Sequence, residues 1–185
     1  GPDDQLFIFI AGHGYYKDAL PEGFLIFKDG SALDKSDEAC LDCQKWLRYA
    51  DLRNIIDNIG CRHIFVVIDA CFGGTFGGEK RRGDDPMYED ITNMKLIERK
   101  MPFKTRLYLT SGGKVYVPDG VSGHHSPFAR RFIEALRSYG GNAGLLTLNG
   151  ILSHVERTDP TPTNGEFKSN EPGSDFFFIV KSKHE

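Results

Sequence analysis

What most constrains this chain is a pair of continuous apolar runs, each stopping on polar, chemistry-bearing residues. Leu6-Phe7-Ile8-Phe9-Ile10-Ala11 ends in Gly12-His13-Gly14, and His63 to Ile68 ends in Asp69-Ala70-Cys71-Phe72-Gly73-Gly74. Runs without polar alternation predict strands buried on both faces, the pattern of a parallel sheet. Parallel neighbours need a crossover. Leu52, Ile55, Ile56 and Ile59 fall at i, i+3, i+4 and i+7 between the two runs, with Asp51 placed to cap that helix and Gly60 to close it. Strand, helix, strand is a βαβ unit.

A third strand over Thr105 to Thr110 runs into Ser111-Gly112-Gly113. Ser126-Pro127 then supplies an N-cap with proline at the first helical position for a helix to Arg137, and Thr147 caps a shorter helix over Leu148 to Val155. Phe176 to Val180 predicts a last strand. The order is β, α, β, long connection, β, α, α, β, which predicts an α/β fold with a mostly parallel sheet and helices on both faces. Residues 77–104, with Lys80-Arg81-Arg82, Gly83-Asp84-Asp85-Pro86 and few apolar groups, read as an exposed loop. Residues 156–175, with Pro160, Pro162 and Pro172, read as a surface run before the last strand.

At 185 residues and 39% hydrophobic content, one domain with one core is expected. Net charge is −3 and no long basic run exists, so the electrostatic footprint of a nucleic-acid binder is missing. The apolar stretches fall far short of the ~20 residues that cross a bilayer, and no secretory signal pattern is present. The four cysteines therefore read as thiols of a cytoplasmic protein.

In an open α/β sheet, ligands bind beyond the carboxyl ends of the strands, where loops and helix N-termini converge. His13 stands there between two glycines, which let a substrate approach the backbone closely, and Cys71 stands at the equivalent place on the next strand. A cysteine nucleophile needs a thiolate and a group that protonates the leaving amine, and one imidazole serves both needs. Cys71 follows His13 by 58 positions. That compares with the roughly 50 that separate histidine from the Gln-Ala-Cys-x-Gly cysteine in caspases.

Ile10-Ala11-Gly12-His13-Gly14-Tyr15-Tyr16, Val66-Val67-Ile68-Asp69-Ala70-Cys71-Phe72-Gly73-Gly74, Leu109-Thr110-Ser111-Gly112-Gly113 and His125-Ser126-Pro127-Phe128-Ala129 together resemble the caspase-like cysteine peptidases of the bacterial metacaspase and orthocaspase type. The resemblance implies a caspase-like sandwich and a Cys-His endopeptidase. Cys71 would attack the peptide carbonyl, His13 would act as general acid and base, and the backbone N–H groups of Cys71 and Gly14 would form the oxyanion hole. Caspases carry Gln where this chain carries Asp69, and metacaspase-like enzymes with this acid prefer basic P1 residues. A carboxylate floor pairs bidentately with guanidinium, so Arg is expected over Lys. Ser111 and Asp119 are further substrate-binding residues on this reading, although Pro118-Asp119-Gly120 is also an ordinary turn sequence. The chain divides accordingly into a large-subunit-like part (1–77), an exposed connector (78–104) and a small-subunit-like part (105–185). Lys80, Arg81 and Arg82 in that connector are candidate self-processing sites. The partner is a protein or peptide substrate. The alternative, from another class, is a catalytically silent caspase-like domain serving as an interaction or regulatory module.

Other patterns are expected to be bland. Cys40-x-x-Cys43 with Cys61-x-His63 has zinc-like composition, but Cys61 leads straight into a strand and the second pair is not C-x-x-C. A redox Cys40–Cys43 pair is an equal alternative. Gly73 to Lys80 follows a strand as a P-loop does, yet Glu79 stands where the lysine is needed. No cofactor is expected; some family members use calcium, for which Asp84-Asp85 and Glu89-Asp90 offer oxygens without a recognisable loop spacing. The chain enters its first strand at residue 6, and by resemblance the His-Gly motif ends the third strand of the fold. Two N-terminal strands are thus expected in a preceding segment of the same or a larger multidomain protein, with Gly1-Pro2 of the kind left by cloning.

Overall fold

The computed structural model describes residues 1–17, 21–27, 46–70, 91–112, 124–138 and 144–180. In chain order the elements are β1 (Gln5–Ala11), β2 (His13–Lys17), β3 (Glu22–Ile26), β4 (Trp46–Arg48), α1 (Tyr49–Asn58), β5 (His63–Asp69), α2 (Asn93–Lys100), β6 (Thr105–Thr110), α3 (Pro127–Arg137), β7 (Leu145–Leu146), α4 (Leu148–Val155), β8 (Thr163–Glu166) and β9 (Phe178–Ile179). The main sheet has the order β1-β5-β6-β8, with β1, β5 and β6 parallel and β8 antiparallel at the edge. A small antiparallel sheet, β2-β3-β4, and the pair β7-β9 complete the architecture. The fold is mixed α/β with a mostly parallel sheet, as expected.

Strands β5 and β6 are buried at every residue, because two apolar layers sandwich them. On one face, Ile64, Val66 and Ile68 pack with Tyr49, Leu52 and Ile56 of α1; Leu6, Ile8 and Ile10 of β1 join them. On the other, Phe65, Val67, Leu107 and Leu109 meet Phe128 and Phe132 of α3 and Ile151 and Val155 of α4. Phe7 stacks on Phe132 at 5.9 Å between ring centroids. Strand β1 departs from the expectation of burial on both faces. It stands at the sheet edge among the described residues, and its side chains are half-buried or exposed.

The capping signals succeed at α3 and α4 and fail at α1. Ser126 Oγ accepts from the Ala129 N–H and Thr147 Oγ1 from the Gly150 N–H, while Pro127 fills the first helical position. At α1 the N-cap is Arg48, with no side-chain cap; Asp51 sits inside the first turn and accepts from Arg48 Nε and Nη2, each at 2.8 Å. An acid in the first turn suits the helix dipole without capping it. Ile59, in extended conformation, ends this helix, so Gly60 does not close it in a left-handed turn.

Three further segments differ from their sequence reading. Within the stretch expected to be loop, Asn93–Lys100 is a helix capped by Thr92, and it buries none of its residues. Its exposure explains why periodicity did not reveal it. The proline-rich run before the last strand supplies β8, paired with β6 from Leu107↔Glu166 to Thr110↔Thr163. Gly165 lies against the Tyr108 ring so closely that an added Cβ would come within 2.3 Å of its hydroxyl oxygen. The final strand shrinks to Phe178–Ile179 on β7, while Phe176 and Phe177 are buried outside it. No helix among the described residues is long and apolar enough to cross a membrane.

Candidate active site

The two strand ends singled out from the sequence are neighbours. Strand β1 runs parallel to β5 in unbroken register from Gln5↔His63 to Ala11↔Asp69, and the Gly12 N–H donates to Asp69 O at 3.1 Å. On the other side of β5, the Ser111 N–H donates to Ile68 O at 3.0 Å, which extends β6 to the same level. Three carboxyl ends therefore stand side by side, where an α/β sheet places its ligands. His13 opens β2 directly after this row, faces Ile26 across the small sheet and is exposed; Gly14 faces Leu25. A Cβ built on Gly12 would meet no atom of the described residues within 4 Å.

Asp69 is buried to 9% relative exposure, on the last residue of β5. Side chains alternate along a strand, so Asp69 follows Phe65 and Val67 onto the face covered by α3. There Ser126 Oγ donates to Asp69 Oδ2 at 2.5 Å while accepting from the Ala129 N–H at 2.9 Å. The same hydroxyl thus caps α3 and holds the carboxylate, whose charge also faces the positive end of an 11-residue helix. Among the described residues Asp69 has no cationic partner and no second hydrogen bond to its carboxylate. Ser111 follows Leu107 and Leu109 onto the same face; it is 1% exposed and its hydroxyl has no hydrogen-bond partner among the described residues. A carboxylate taken out of water without a counter-charge is costly unless a ligand supplies one, so this row has unused capacity for a cation.

No family model matches this chain. Neither does any curated protein or solved structure.

Of the residues expected to carry function, the structure brings His13, Gly14, Asp69 and Ser111 to one end of the sheet. Cys71 follows Ala70 directly in sequence and lies outside the described residues, as do Lys80, Arg81, Arg82, Asp119, the acidic residues Asp84, Asp85, Glu89 and Asp90, and the Cys40–Cys43 pair. Cys61 and His63 stand at the opposite, amino end of β5. The Cys61 thiol donates to Asp4 O at 2.7 Å, and His63 Nδ1 lies 3.0 Å from Thr105 Oγ1. Among the described residues no group of three or more His, Cys, Asp or Glu side chains is arranged to hold a metal ion. Sequence reading missed that Ser126 touches Asp69. The cap signal marked Ser126, but nothing in the sequence joins two residues 57 positions apart.

Proposed function

We propose that the protein is a cysteine endopeptidase that cleaves after basic residues, Arg in preference to Lys, with Cys71 as nucleophile and His13 as general acid and base. The observation that carries the reading is the register of β1 on β5, which sets Gly12-His13 beside the strand end that leads into Cys71, and that strand end is Asp69, buried and without a counter-charge among the described residues. The Cys71 thiolate attacks the P1 carbonyl carbon, and backbone N–H groups of Cys71 and Gly14 stabilise the oxyanion. As the C–N bond breaks, His13 gives its proton to the leaving amine. Water then loses a proton to His13, attacks the thioester and restores the thiolate. Asp69 receives the P1 cation, and guanidinium is favoured because its fork matches a carboxylate. Such an enzyme finds sites in its own Lys80-Arg81-Arg82, so the connector is a substrate in cis or in trans.

Peptides bearing Arg, Lys or Asp at P1, together with an Arg-directed acylating probe, test the proposal. Expected are cleavage in the order Arg, Lys, Asp and probe attachment at Cys71, with both lost in Cys71→Ala. Preference for Asp overturns the role of Asp69. Absence of labelling in folded protein favours the silent interaction module. Fragmentation near residues 80–82 that persists in Cys71→Ala excludes self-processing.

A further inference from the structure

We infer that Ser126 is a positioning residue for recognition of the basic side chain, acting through Asp69 to fix which carboxylate oxygen is presented. The inference rests on the peptidase reading above and adds to it a residue on a different element, α3.

The terminal torsion of an aspartate is soft and roughly two-fold, so a carboxylate that receives one bound cation must be held by something else. Here that is a hydroxyl. Ser126 Oγ meets Oδ2 at 2.5 Å, the short distance of a charge-assisted hydrogen bond. The hydroxyl is itself immobilised, since its oxygen accepts from the Ala129 N–H and Pro127 locks the next backbone torsion. Behind it, α3 is anchored by the buried Phe128, Ala129, Phe132 and Ala135. The serine has one proton to give, and an ionised carboxylate can only accept, so that proton is committed to Oδ2. Among the described residues Oδ1 is left without a bond, and it is the atom that meets an incoming cation. The buried Ser111 hydroxyl at the same level of the sheet adds no competing donor bond to Asp69. Recognition of substrate is thereby tied to the placement of a helix rather than to β5 alone.

Two variants separate positioning from capping. Ser126→Gly removes the hydroxyl but keeps a residue that caps helices nearly as well, whereas Ser126→Thr keeps a hydroxyl. In Ser126→Gly, KM for Arg peptides is expected to rise about tenfold, the effect of one charge-assisted hydrogen bond, with kcat changed less than about twofold. Ser126→Thr restores the wild-type KM. Carbon NMR of the Asp69 carboxyl at fixed neutral pH provides a reading independent of cleavage: its resonance moves in Ser126→Gly, where the donated hydrogen bond is lost, and returns in Ser126→Thr. A folded Ser126→Gly protein with unchanged KM, or with an unmoved Asp69 carboxyl resonance, overturns the inference and leaves Ser126 as a cap. A wild-type protein that cleaves no basic peptide overturns the peptidase reading instead, and the Asp69 carboxyl resonance still decides whether Ser126 holds the carboxylate.

Discussion

The two ends of the main sheet handle buried polar groups in opposite ways. At the amino end, Arg106 is fully buried and spends its terminal nitrogens on backbone carbonyls, donating to Arg62 O and Thr105 O at 2.8 Å, Ile59 O at 2.7 Å and Cys61 O at 2.5 Å, with only its Nε lacking a partner among the described residues. Its backbone N–H donates to Asn170 Oδ1 at 2.7 Å, and Thr105 Oγ1 joins His63 to Asp175 O. At the carboxyl end, among the described residues, the Asp69 carboxylate has one bond, the Ser111 hydroxyl none, and His13 is exposed. Groups with several partners hold a structure together; groups with spare valence are available to a ligand. A depression of about 410 Å³, lined by Ile59–Arg62, Pro102, Lys104 and Glu171, lies at the amino end. That depression is therefore separate from the candidate site.

The contrast can be broken by exchanging the consequences of mutation between the ends. The largest expected effect is at the open end: His13→Ala lowers kcat for Arg peptides by about a thousandfold, the upper range of general acid–base contributions, and leaves the melting temperature unchanged because His13 is exposed. Arg106→Met should do the reverse, costing about 3 kcal/mol of stability in urea denaturation through orphaned carbonyls, with the P1 order intact. Asp69→Asn should lower kcat/KM for Arg peptides about a hundredfold while changing stability by less than about 1 kcal/mol, since the amide still accepts from Ser126. A stability loss at Asp69 as large as that at Arg106 would erase the distinction.

The smallest effect is a pH dependence seated at the amino end. Burial first, and then the neighbouring Arg62 and Arg106 cations, hold His63 below its ordinary value of 6.5. Between the two pKa values the unfolded chain binds the proton that the folded chain refuses, so stability is full above pH 6.5 and falls as pH drops through that window. Denaturation midpoints at pH 7.5 and 5.5 check this, and His63→Gln should flatten the difference.

Which parts were legible follows from where the driving forces lie. Strands β1 and β5 announce themselves as unbroken apolar runs, although only β5 is buried throughout, and α3 and α4 because Ser126 and Thr147 leave a local cap signature. Strand β8 does not: Thr163-Asn164-Gly165-Glu166 has no apolar alternation, and only its ladder to β6 and the close fit of Gly165 on Tyr108 define it. The small sheet is equally silent, since β4 is three residues long and its aromatic packing joins distant segments. At the candidate site, Asp69 was visible as a residue type at a strand end. Its lack of a counter-ion among the described residues, and the hydroxyl that holds it, are tertiary facts.

The small sheet also carries a built-in reporter. Trp46 is the chain's one tryptophan; it sits 7% exposed in β4, with Tyr15 of β2 at 5.5 Å and Phe24 of β3 at 5.8 Å between ring centroids. Its indole N–H is buried and has no partner among the described residues. Ultraviolet emission excited at the indole band therefore reads the sheet that begins at His13, separately from the main sheet, whose aromatic core is built of phenylalanine and tyrosine. A change in that emission when a peptide binds would report on the surroundings of the imidazole without any label.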